Sequence, residues 1–169
     1  MTIQDGIEMF LAELRRRGYS ERTIHAYLFD LEKLCAFLNE KASIDPSAAD
    51  ISLINSGLLR RWIDNALFDG NKIKTVARKV ATLKSMFRFL FQEGKIEQNP
   101  TDKLRLPRLP KKPPSALSQD EVRQLLNAPG PEDKNYLLDR AILLLLYSAG
   151  LRVSELASLR MENINLERR

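Results

Sequence analysis

Arg152 and Glu155 stand three positions apart in YSAGLRVSEL (147–156), just after the apolar run AILLLL (141–146) and a break at Gly150. An arginine past such a break is either a surface charge at a helix start or a cation held over an anionic group. This stretch alone leaves both readings open. Glu155 reads as a first-turn glutamate favoured by the helix dipole. Other reactive side chains are few. One cysteine, Cys35, and one histidine, His25, are present, too few for an ordinary zinc site or an internal disulfide. Cys35 falls on an apolar stripe and reads as core, and His25 beside it reads as a surface or boundary residue. No metal is expected.

A second candidate group lies in the charge distribution. The formal net charge is +5. Residues 1–69 hold 8 Lys/Arg against 11 Asp/Glu, and residues 113–169 hold 7 against 8. The stretch 70–112 holds 12 against 3, so all the excess positive charge sits in one segment. Such a segment is either a solvated basic face or a polyanion contact, and its isolation between acidic flanks favours nucleic acid. Within it, no acid falls between Lys72 and Gln92. Ile73, Val76, Val80, Leu83, Phe87 and Leu90 make one apolar stripe of a helix. Lys74, Arg78, Ala81, Ser85 and Arg88 lie on other faces, with Thr75, Thr82 and Lys84 alongside. Small residues between cations let a phosphate backbone come close, where charges and hydroxyls contact it.

The elements that must position these groups read as helices almost throughout. Ile3, Ile7, Phe10 and Leu14 form one stripe, with Thr2 placed to cap. Ile24, Tyr27, Leu28, Leu31, Leu34, Cys35 and Leu38 form another after Ser20. A third helix is expected from about Ser56 to Phe68, ending near Gly70. Leu104 to Ser115 carries four prolines, four cations and no acid, which predicts an extended, semi-rigid linker that also follows a nucleic-acid backbone through Lys111 and Lys112. A second domain opens at Leu117, where Ser118 and Glu121 make a capping box and Val122, Leu125 and Leu126 share a face. Leu137 to Tyr147 is apolar nearly all round and predicts a buried central helix with Gly150 as its left-handed cap. A short helix with Val153, Leu156 and Leu159 inward should follow, and a strand or turn should begin at INLERR. Such a central helix needs more partners than residues 117–169 readily supply, so this domain is expected to be cut short.

Composition, 44% apolar and 29% charged, is that of a soluble globular protein. AILLLLY is too short to span a bilayer, and residues 1–10 lack a signal-peptide pattern. A cytoplasmic protein without membrane contact is expected.

The chain resembles the tyrosine recombinase (phage integrase) family, within it the bacterial Xer recombinases. The resemblance rests on TIHAYLFDL (23–31), RKVATLKSMF (78–87) and Asn99-Pro100. Further on it rests on LSQDEVRQLL (117–126) and DRAILLLLYSAGLRVSEL (139–156), the last being the most specific. It implies an all-α chain as present: a SAM-like helical core-binding domain (1–104), a basic linker (105–116), and the first helices of a mixed α/β catalytic domain (117–169). It also implies site-specific recombination of double-stranded DNA, with several protomers, a tetramer in the family, on paired sites. A tyrosine forms a phosphotyrosyl link, and no cofactor is required. In the Xer branch the role is chromosome or plasmid dimer resolution, with a septal DNA translocase as a further partner.

Arg152 matches the family's first catalytic arginine, and Glu155 the acidic position that supports it. A guanidinium fork meets two non-bridging oxygens of a phosphate at once and stays charged, and a helix start adds positive potential there. The resemblance also calls for a hairpin lysine, His-x-x-Arg, a further His or Trp, and the nucleophilic tyrosine, all after the arginine motif. Tyr19, Tyr27, Tyr136 and Tyr147 all precede Arg152, and none matches the nucleophile's motif; Tyr27 and Tyr147 read as core. The polypeptide is therefore expected to bind DNA without cutting it, as a fragment of a recombinase that self-associates through 137–147. The alternatives are a naturally short DNA-binding module or regulator of a full-length recombinase, and a helical adaptor that binds no DNA.

Overall fold

Helix signals carried by single residues set the element boundaries. In the computed structural model, which describes residues 1–105 and 116–164, Thr2 caps α1 (Ile3–Arg16) through a reciprocal box with Asp5. Ser20 caps α2 (Glu21–Ala42) by accepting the Thr23 amide. Asn55 does the same for α3 (Ser56–Phe68), and α4 (Ile73–Gln92) starts after Lys72 without a side-chain cap. Beyond them lie α5 (Gln119–Leu126), α6 (Tyr136–Ser148) and α7 (Val153–Ala157), with short 3-10 turns at Ile51–Leu53 and Met161–Asn163. The described residues contain no strand, only an isolated bridge between Thr2 and Asp50. The expected all-α architecture is what they show.

The chain divides into two compact units, Met1–Lys111 and Lys112–Arg169. In the first, α4 packs against α1, α2 and α3. Its face Val76, Val80, Leu83, Met86, Phe87 and Leu90 is fully buried and meets Ile3, Phe10, Leu31, Leu34, Leu38 and Leu59. Burying a side chain of this size contributes about 1.5–3 kcal/mol, so this one face anchors the unit. Phe10 and Tyr27 meet edge to face, ring centroids 5.4 Å apart, which places Tyr27 against the core as expected. Ile73, expected on the apolar stripe, is half exposed instead, because it occupies the first turn of α4, beyond the reach of the neighbouring helices.

In the second unit α5 and α7 each pack on α6. The Ser118–Glu121 box is present, and Gly150 follows α6 with φ 61°, a conformation that suits glycine. The expectation of a buried α6 is not met. Leu137 is 79% and Leu138 60% exposed, and Tyr147, expected in a core, is 61% exposed. Val153, expected inward, is also exposed, whereas Leu156 and Leu159 are partly buried. The reason is geometric: two short helices can shield only part of a helix that is apolar all round. Lys111 and Lys112 and most of the expected linker lie outside the described residues, as does most of INLERR.

Candidate nucleic-acid interface

Core burial of one α4 face fixes what the opposite face presents. Residues 74, 78, 81, 85 and 88 follow helical spacing along one line. There Lys74, Arg78, Ala81 and Arg88 are exposed, and Thr75, Lys84 and Ser85 are partly exposed. Ala81, Lys84, Ser85 and Arg88 also line a groove of about 340 Å³ with Arg17 and Tyr19 from the end of α1. Sequence periodicity did not bring Arg17 and Tyr19 to this face, since their placement depends on how α1 packs on α4. Arg16 and Arg17 both donate to Glu13, at 2.6 Å each through Nε. These bonds hold the Glu13 carboxyl down at about 2.

Arg78 and Thr82 are not simply surface groups. Asp30 on α2 is fully buried, and its Oδ2 accepts from Arg78 Nη1 at 2.7 Å and from Thr82 Oγ1 at 2.9 Å. Arg78 Nη1 also reaches the Ala26 carbonyl at 3.4 Å. Asp30 Oδ1 is buried without a partner. Burial pushes the Asp30 carboxyl above its ordinary range, outweighing the Thr82 bond and the Arg78 charge that pull it down. Next to it, Lys79 is buried, bonded to Asn71 Oδ1 at 3.3 Å and set over the Trp62 ring; burial lowers its ammonium below its usual value. Thr82, placed alongside the basic line by the periodicity, is thus a buried ligand of Asp30. A signal for Asp30 was in the sequence. It sits three residues after Tyr27 and four before Leu34, a carboxylate at an inward register.

On the second unit, Arg152 precedes α7 and its side chain is 82% exposed. Glu155 accepts from the Arg152 backbone amide at 2.7 Å and from its Nη1 at 2.8 Å. Both bonds lower the Glu155 carboxyl below its ordinary value. Glu155 therefore contacts the arginine and also closes the first turn of α7, so its two readings describe one geometry. At five residues α7 adds little dipole of its own, so any anion affinity here comes from the guanidinium.

This pattern of helices and cations has relatives. The profile described as "Phage integrase, N-terminal SAM-like domain" matches residues 7–94, and that of the "Phage integrase family" matches residues 115–169. The chain belongs to the phage integrase, or tyrosine recombinase, family. It is 33% identical to tyrosine recombinase XerD of Haemophilus influenzae over 95% of this chain and 52% of that protein. To tyrosine recombinase XerC of Chlorobaculum tepidum it is 36% identical, over 93% and 52%. The chain thus spans about half the length of the curated relatives it matches. Its fold is similar to that of a lambda integrase dimer bound to a COC' core site (TM-score 0.73, 21% identity, 98% of this chain and 56% of that one). It is also similar to the Tn1549 transposon integrase with circular intermediate DNA (TM-score 0.70, 22% identity, all of this chain and 51% of that one).

Proposed function

We propose that the chain is part of a site-specific tyrosine recombinase of the Xer type and that its helical unit binds the double-stranded recombination site through α4. One observation carries this reading. In a domain that matches the integrase family, the α4 face opposite the core presents Lys74, Arg78, Lys84 and Arg88 with Thr75, Ala81 and Ser85 between them and no acid. Lys111 and Lys112 extend the proposed contact along the chain. On the second unit, Arg152 is proposed to grip the scissile phosphate, with Glu155 holding the guanidinium in place. Dimer resolution by a tetramer on paired sites, with a septal DNA translocase as partner, in the cytoplasm, is the role proposed from the resemblance to the Xer branch. The 169-residue polypeptide is proposed to bind without cleaving, because its tyrosines precede Arg152 and its one histidine is His25.

Titrating salt against duplex binding tests the reading. The four α4 cations alone, each neutralising one phosphate, imply a loss of at least roughly a hundredfold in affinity between about 50 and 200 mM salt. Affinity indifferent to salt would leave the helical adaptor. A nicked suicide duplex tests the second part: a covalent protein–DNA adduct overturns it.

A further inference from the structure

Asp30 is the only acid buried among the described residues, and apolar packing does not account for it. It has no solvent exposure, one of its oxygens is unpartnered, and its ion-pair partner Arg78 is itself 46% exposed. A buried carboxylate in this state is a poor stabiliser, since an apolar or neutral replacement of a buried ion pair is often neutral or better. Its geometry is well suited to something else. Thr82, one turn along α4 from Arg78, holds the same oxygen, so the carboxylate is fixed, and it grips the guanidinium only through Nη1. Arg78 lies in the middle of the α4 line, between Lys74 and Ser85. An untethered arginine there would sample many rotamers and lose that freedom on being fixed. The neighbouring cation Lys79 is turned away towards Asn71 and Trp62.

We propose that Asp30 is a positioning residue for DNA binding: it holds the Arg78 guanidinium on the α4 face so that its free edge meets a backbone phosphate in one geometry, and it acts on DNA only through Arg78. The inference rests on the DNA-binding reading above. A double-substitution cycle on the full chain tests it, with duplex affinity measured against salt and folding followed by circular dichroism. Arg78→Ala should weaken binding and lower the salt slope by about one. Asp30→Asn should weaken binding three- to tenfold with the slope unchanged, because the cation remains and is merely less ordered. In the Arg78→Ala background, Asp30→Asn should change affinity less than twofold. Thr82→Val, which loosens the carboxylate without removing charge, should follow the same pattern and serves if Asp30→Asn does not fold. Losses that multiply in the double variant, or Asp30→Asn and Thr82→Val chains that bind as tightly as the parent, overturn the inference while leaving DNA binding intact. A parent chain without salt-dependent binding overturns the DNA reading itself.

Discussion

Two carboxylates on the first unit respond to pH in opposite senses, and the sign follows from what surrounds each. Burial raises the folded value of Asp30 above its ordinary 3.8. Its contribution to stability is therefore fully present below the unfolded value and is lost as pH rises through the folded one. The melting temperature of the parent minus that of Asp30→Asn should accordingly be largest below the unfolded value and shrink as pH rises above it in circular dichroism melts. A difference that grows with pH would contradict the burial argument. Glu13 behaves conversely. Arg16 and Arg17 lower it from 4.5 to about 2, so its contribution is present above the unfolded value and is lost as pH falls through about 2. Glu13→Gln should therefore flatten the loss of stability between pH 4.5 and 2, and an unchanged acid limb would show that these bonds do not persist in solution. Both expectations concern single groups and do not depend on DNA.

At the scale of the element, α4 divides its labour by face: one side joins the core and the other stays accessible. Ala81 sits midway along the exposed line, so Ala81→Glu adds bulk and negative charge where a phosphate should approach, with little effect on the core. Duplex affinity should fall tenfold or more while the melting temperature moves by no more than a few degrees; retained affinity would remove α4 from the interface. The helices themselves were legible in the sequence because their signals are local. Thr2, Ser20, Ser118 and Gly150 each act within one turn, and each does in the structure what its residue type predicts. The Asp30–Arg78 pair was not legible, since its members lie 48 positions apart and only the packing of α2 on α4 joins them. Ile73 was misread for a related reason: the period gives a residue's direction, and the neighbouring helices decide whether anything is there to cover it. The period places Lys74, Arg78, Ala81 and Arg88 on one exposed face of α4, whereas the tether on Arg78 required the fold.

For the molecule as a whole, the two units differ in how completely they satisfy their own apolar residues. The first has a continuous core of fully buried side chains from α1 to α4. The second has no fully buried hydrophobic residue among those described, and Leu137, Leu138, Leu144, Tyr147 and Val153 are all exposed. All-round apolarity in 137–147 was legible as a preference for burial, but it carried no information on what would do the burying. Exposed apolar area of this kind is costly in water and drives association. Two copies of the chain meeting through α6 would cover it, so sedimentation should show the mean mass rising with concentration. Leu137→Lys with Leu138→Gln replaces the two most exposed leucines of α6 by residues that propagate a helix nearly as well, so the helix should persist while its stickiness falls. The doubly substituted chain should stay monomeric at concentrations where the parent associates, and the first unit should melt at the same temperature in both. A parent that is monomeric at high concentration would show that the apolar surface of α6 drives no assembly, and equal association of the substituted chain would place the contact on another face.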